Sequence, residues 1–126
     1  MSVVLDASAL LALMLDEPGA ARVAEHLADA SLASVNYAEV LQRLGREGHA
    51  LPQVREDIAD MGLHVEPFEA ADAEACAALY ETGRPLGLSL GDRACLALAQ
   101  RLNQPVLTAD RAWSHLKLSL KIEVIR

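Results

Sequence analysis

The sequence predicts an α/β fold, a three-layer α/β/α sandwich around a short parallel sheet. Short apolar runs such as Val3-Val4-Leu5 and Val106-Leu107 alternate with longer segments of helical periodicity. Strands separated by helices need crossover connections, which make parallel sheets covered on both faces. The chain is 52% hydrophobic but only 3% aromatic, so its core is Ala, Leu, Val and Ile, which suits helices packed closely on a small sheet. Its 126 residues are the length of one domain, and no linker, repeat or low-complexity tract divides residues 1–126.

Each element follows from a local pattern. Val3-Val4-Leu5 is a buried strand ending at Asp6, and Ser8 opens a Leu-rich helix to Leu15. Glu17-Pro18-Gly19 breaks that helix, and Ala20, Val23, Ala24 and Leu27 resume helical spacing. Leu32-Ala33-Ser34 predicts a second strand, followed by a helix with the stripe Tyr37, Val40, Leu41 and Leu44. The next helix starts near Pro52, turns Val54, Ile58 and Met61 inward, and stops at Gly62. Leu63 to Glu66 reads as a third strand, and Ala73, Cys76, Ala77 and Tyr80 as the inner stripe of another helix. Ser89 to Leu102 is the most apolar helix and should be central. Val106-Leu107, a short helix around Trp113, and a strand over Ile122 to Ile125 complete the pattern.

Composition narrows the function. With 11 Lys+Arg against 18 Asp+Glu, the formal charge is −7, unlike the basic footprint of most nucleic-acid binders but compatible with carboxylates neutralised by cations. So few aromatic residues exclude a stacking platform for single strands. The longest apolar run is too short for a membrane helix, and no basic n-region precedes Arg22, so a cytoplasmic protein is expected. Cys76 and Cys95 lie in Ala/Leu-rich helical patterns and read as buried thiols without a disulfide or metal role. The four histidines form no ligand pair: His26, His49 and His115 read as surface residues and His64 as structural. No Walker-type phosphate loop or Gly-x-Ser-x-Gly element occurs.

Four acids stand where a parallel sheet places its ligands, outside the carboxyl ends of strands. Asp6 ends the first strand, Asp110 follows the fourth, and Glu39 and Asp92 are expected in the first turns of their helices. Each has a local explanation as well. Asn36-x-x-Glu39 and Ser89-x-x-Asp92 fit capping boxes, and Asp6 and Asp110 fit N-caps. Jointly, however, four like charges at one rim repel unless cations bridge them, and hard oxygen ligands suit Mg²⁺ or Mn²⁺.

Val3-Val4-Leu5-Asp6-Ala7-Ser8-Ala9-Leu10, Asn36-Tyr37-Ala38-Glu39, Leu88-Ser89-Leu90-Gly91-Asp92-Arg93 and Leu107-Thr108-Ala109-Asp110 together resemble the four motifs of PIN domains. The resemblance is to the VapC-type toxin branch of toxin–antitoxin pairs and spans the whole chain. It implies a parallel sheet of order 3-2-1-4-5 and Mg²⁺- or Mn²⁺-dependent endoribonuclease activity. It further implies a homodimer and a cognate antitoxin received by the early helices, where Leu10, Leu11, Met14, Leu15, Ala20, Val23 and Leu27 are concentrated.

Carried over by position, the resemblance places Asp6, Glu39, Asp92 and Asp110 in a metal-binding cluster. Asp6 and Asp92 are then direct ligands, Glu39 a ligand or the base that orients water, and Asp110 the holder of a second ion or of a ligating water. Thr108, Ser8 and Asn36 support these carboxylates by hydrogen bonding; at Asn36 many relatives carry Ser or Thr. Arg43, Arg46, Arg93 and Arg111 are candidates for receiving substrate phosphates, with an i,i+4 ion pair to Glu39 the competing role for Arg43. Two other functions compete. One is a PIN-like module that binds RNA or protein without turnover. The other is a receiver-type phosphoryl-transfer domain, which would need an acidic pair after the first strand, where Ala7 follows Asp6, and a Lys at the end of the last.

Overall fold

The computed structural model describes residues 2–126 and contains a five-stranded, all-parallel sheet. The strands are β1 (Val3–Leu5), β2 (Ala30–Ala33), β3 (His64–Glu66), β4 (Val106–Thr108) and β5 (Ile122–Val124). Their order is β3-β2-β1-β4-β5, as the family resemblance implies. The helices are α1 (Ala7–Met14), α2 (Ala20–Ala24), α3 (Ser34–Arg46), α4 (Leu51–Met61), α5 (Ala70–Ala78), α6 (Tyr80–Gly83) and α7 (Leu90–Leu102), with short 3-10 turns between some of them.

Alternation along the strands creates two cores. Val3 and Leu5 of β1, Leu32 of β2 and Leu107 of β4 point to one face, where α1 to α4 cover them with Leu10, Val23, Val40, Leu44, Val54 and Ile58. Val4, Ala33 and Val106 point to the other, where α5 and α7 supply Cys76, Leu79 and the run Ala94 to Ala99. That run is buried throughout, so α7 is central as expected. Both cysteines are buried free thiols. No helix among the described residues is long and apolar enough to cross a membrane.

Several local expectations are corrected. β2 starts earlier than its most apolar residues suggest, and α3 begins at Ser34. The segment after Gly19 is a short helix followed by a 3-10 turn at Leu27–Asp29. In α5 the inner stripe is Asp72, Ala75, Cys76 and Leu79, while Ala73, Ala77 and Tyr80 are exposed. Burial of Asp72 tolerates this shift because Arg101 donates to its carboxylate at 2.9 Å and the Glu69 N–H donates at 2.8 Å. His64 is exposed on the edge strand rather than structural, and His26 is half-buried. Leu10, Leu11 and Val23 of the early helices are consumed by the chain's own core, and Met14, Leu15 and Leu27 pack at its margin.

Candidate active site

Strand order reverses direction at β1, which has β2 on one side and β4 on the other. Such a switch point opens a crevice at the carboxyl ends of the two central strands. Asp6 leaves β1 there and Thr108 closes β4 beside it.

Asp6 is 4% exposed and is held by a network that joins the start of α1 to the end of β4. Its Oδ1 accepts from the Ala9 N–H at 2.8 Å, which caps α1, and from Ser8 Oγ at 2.7 Å. Its Oδ2 accepts from Thr108 Oγ1 at 2.6 Å and lies 2.9 Å from Ser8 Oγ. The two hydroxyls are themselves acceptors: the Ala109 N–H donates to Ser8 Oγ at 2.9 Å, and the Asp110 N–H to Thr108 Oγ1 at 3.0 Å. Backbone dipoles of the turn after β4 are thus relayed through Ser8 and Thr108 onto Asp6, each bond polarising the next. The hydroxyls together have only two protons to give, so with the Ala9 N–H the carboxylate receives three donors and keeps one acceptor position open.

Burial dominates the ionisation of Asp6. Desolvation pushes its pKa up to about 6, the hydrogen bonds from Thr108, Ser8 and the Ala9 backbone oppose that rise, and the negative charge of Asp92 adds to it. A buried acid that is mostly ionised at neutral pH, beside another acid, stands in a field that favours a cation.

Asp92 and Glu39 approach from the helices. Ser89 caps α7 in a complete capping box: the Asp92 N–H donates to Ser89 Oγ at 3.1 Å, and the Ser89 N–H to Asp92 Oδ2 at 2.9 Å. The cap and the site are one arrangement here, because the box fixes the carboxylate at the rim. The box expected at Asn36 and Glu39 does not form. Ala33 is the N-cap of α3, so Asn36 lies inside the first turn and Glu39 in the second. Asn36 is instead a strut between helices: its Nδ2 donates to Glu39 Oε1 at 2.8 Å and to the Gly91 carbonyl of α7 at 2.9 Å. The Glu39 carboxylate lies directly over Gly91, in the space a Cβ there would fill. Gly91 is the residue that sequence reasoning missed. Nothing marks it locally, since the constraint comes from a helix some fifty positions earlier.

The negative fields of Asp6, Asp92 and Glu39 converge on the buried Cys95 thiol of α7 and, with desolvation as the larger cause, push its pKa well up. These three carboxylates therefore share one neighbourhood and form an oxygen-only donor set. Among the described residues, no three His, Cys, Asp or Glu side chains are close enough to hold a single ion as they stand.

The remaining candidates are more peripheral. Asp110 is exposed; its Oδ1 accepts from the Ala112 N–H at 3.0 Å, and it meets the network only through its backbone N–H on Thr108. Arg43 pairs with Glu47 at 2.6 Å rather than with Glu39. Arg93 is turned toward α5, its guanidinium 5.3 Å from the Tyr80 ring centroid and donating to the Cys76 carbonyl at 3.0 Å. Arg111 donates to the carbonyl of Arg126, and Arg46 is exposed. Two cavities, one beside Glu66 and Asp72 and one beside Glu81 and His115, lie apart from the carboxylate rim.

The fold and its acid-lined switch point define a class: the chain belongs to the PIN domain family, which matches residues 3–118. Its relatives there include ribonuclease VapC42 of Mycobacterium tuberculosis and VapC ribonuclease Mb2780c of Mycobacterium bovis. Each is 30% identical over 123 residues, covering 89% of this chain and 93% of the relative. Solved structures share the fold. A toxin-antitoxin complex from Klebsiella pneumoniae superposes with a TM-score of 0.76 at 19% identity, covering 92% of this chain and 93% of that one. VapBC2 from Rickettsia felis, bound to a promoter DNA fragment, gives 0.73 at 18% identity and covers 98% of both chains.

Proposed function

We propose that this chain is a Mg²⁺- or Mn²⁺-dependent endoribonuclease acting as a single PIN domain over residues 1–126, and the toxin of a toxin–antitoxin pair. The observation that carries the proposal is the buried Asp6 carboxylate at the β1–β4 switch point, with one acceptor position open and Asp92 in its field. The VapC ribonucleases at 30% identity support RNA as the substrate. The toxin–antitoxin complexes among the structural neighbours support an antitoxin partner. A homodimer is part of the same proposal.

Asp6, Asp92 and Glu39 would hold the ion directly or through its water ligands, with Asp110 at the outer edge. When bound, Mg²⁺ or Mn²⁺ supplies a water acidified toward neutral pH and charge neutralisation for the transferring phosphate. The protein's own contribution is orientation. Thr108 and Ser8 fix both oxygens of Asp6, Ser89 fixes Asp92, and the Asn36 bond to Oε1 leaves Glu39 Oε2 to orient water. Such preorganisation removes the reorganisation that free carboxylates would need during the reaction. With Arg43, Arg93 and Arg111 engaged by Glu47, Tyr80 and the Arg126 carbonyl, the exposed Arg46 is the most available of the four arginines to meet the RNA backbone.

Purified protein should cleave single-stranded RNA internally with Mg²⁺ or Mn²⁺ and stop when EDTA is added. Asp6→Asn and Asp92→Asn, each folded by circular dichroism, should lose at least a hundredfold in rate. Undiminished cleavage by both variants would place the reaction elsewhere.

A further inference from the structure

We infer that Gly91 and Asn36 are positioning residues that set the affinity of the site for its divalent ion by fixing the Glu39 carboxylate against the first turn of α7, an inference that rests on the metal-dependent reading above. The observations are geometric. Glu39 belongs to α3 and Asp92 to α7, so their carboxylates share a site only if the two helices hold a fixed separation. Asn36 is 1% exposed and spans that separation by donating one amide group to both helices, to Glu39 Oε1 and to the Gly91 carbonyl. Gly91 is itself buried, and a Cβ there would collide with both Glu39 oxygens and its Cδ.

The two residues act in opposite senses. Asn36 pulls the carboxylate toward α7 by hydrogen bonding, and the missing side chain at Gly91 lets it arrive. Neither residue offers a charge to the ion, so their influence passes through Glu39. Supporting residues of this kind typically change metal affinity by 10–100-fold. The Asn36 Oδ1 atom is buried without a donor, while its amide nitrogen is used twice. The amide is therefore placed by its donor side, with the nitrogen directed at a carboxylate and a carbonyl, neither of which could donate to an oxygen there.

Stability and metal affinity should separate at Gly91. The colliding group is the end of a flexible side chain, so an alanine there can be accommodated by pushing Glu39 aside. Replacing glycine by alanine also lowers the conformational entropy of the unfolded chain. Gly91→Ala should consequently melt no lower than wild type in EDTA, yet bind Mn²⁺ at least tenfold more weakly. A residue needed only for folding would show the reverse.

The test is titration of the full chain with Mn²⁺ alone, followed by electron paramagnetic resonance of the free ion, with melting in EDTA as the control for folding. Wild type, Asp6→Asn, Gly91→Ala, Asn36→Leu and Asn36→Thr are compared, together with Gly91→Ala in a Glu39→Ala background. Asn36→Leu removes the donor at nearly constant shape without adding a charge and should weaken Mn²⁺ at least tenfold, whereas Asn36→Thr keeps a hydroxyl donor and should recover part of the loss. Because Gly91 acts through Glu39, Gly91→Ala should have no further effect once Glu39 is alanine. Wild-type Mn²⁺ affinity in Gly91→Ala and Asn36→Leu, with affinity lost in Asp6→Asn, would overturn the inference and leave the metal-dependent reading standing. Absence of Mn²⁺ uptake by the wild type would overturn both.

Discussion

Asp6→Asn should remove the part of the protein's pH-dependent stability that the buried Asp6 carboxyl imposes. In the folded chain the Asp6 carboxyl titrates at about 6, against 3.8 for an ordinary aspartate, because burial disfavours its charge more than Thr108, Ser8 and the Ala9 N–H stabilise it. A raised folded-state pKa contributes stability that is whole below the unfolded value and lost as pH rises through the folded one. The difference corresponds to about 3 kcal/mol, of which roughly 2 kcal/mol is lost between pH 4 and pH 8. For a chain of this length that is on the order of 8–10 °C in melting temperature. Asparagine keeps an acceptor for the Ala9 N–H and does not ionise. In EDTA, the melting temperature of Asp6→Asn minus that of wild type should therefore climb by about that amount from pH 4 to pH 8. Titrating groups away from the rim are common to both proteins and cancel in the difference, and the coupling to Asp92 is the smallest of the causes that shift Asp6. Scanning calorimetry across the pH range measures it, and a difference that stays within about 2 °C from pH 4 to pH 8 would refute the account of Asp6.

Thr108→Val removes the shortest bond to Asp6 and leaves the buried side of the Asp110 N–H without its acceptor; chemical denaturation should show a loss of about 1–2 kcal/mol, with the midpoint of the Asp6 pH dependence moved upward. Asp72→Ala should cost about 1–2 kcal/mol at pH 7 by removing the acceptor of the Glu69 N–H and the partner of Arg101, without affecting Mn²⁺ binding. The Asp72 pKa is lowered by those same donors, chiefly the Glu69 N–H, so its contribution is present above the ordinary aspartate value and disappears as pH falls through the folded one; wild type and Asp72→Ala should converge in acid. Leu96→Ala empties a fully buried position on α7 and should destabilise by about 2–5 kcal/mol in denaturant, while the folded fraction still binds Mn²⁺.

The parallel α/β layering and the placement of three of the four acids were legible because both depend on short-range signals, whereas the strand order followed only from the family resemblance. A buried strand that ends in aspartate announces its own rim, and Ser89-x-x-Asp92 fixes a helix start whatever else the acid does. Glu39 was legible as a residue but not in its support. Asn36-x-x-Glu39 has the spacing of a capping box, yet i,i+3 neighbours also meet within a helix, and only the start at Ser34 decides between them. The partners of two arginines were hidden for a related reason. Arg43 stands four residues from both Glu39 and Glu47, so spacing alone cannot choose its partner, and the side chain takes Glu47. Arg93 lies beside Asp92 in sequence but is claimed by Tyr80 and Cys76 on a neighbouring helix. The stripe Ala73, Cys76, Ala77 and Tyr80 omits Asp72 because the guanidinium that permits its burial lies 29 residues away, and Gly91 escaped notice because its constraint is a contact with α3. What failed to show in the sequence is tertiary at Asp72, Gly91 and Arg93, and a choice between equal local spacings at Arg43 and Asn36.

The central claim, that the carboxylates at the β1–β4 switch point hold a divalent ion that drives RNA cleavage, is tested most directly by measuring Mn²⁺ binding and RNA cleavage in a single titration. Wild type and an identically prepared Asp6→Asn protein are compared. The wild-type cleavage rate should rise with Mn²⁺ to half its maximum at the concentration that half-fills the site, and Asp6→Asn should show neither binding nor cleavage over that range. Cleavage that persists in EDTA, or that proceeds at the wild-type rate in Asp6→Asn, would contradict it.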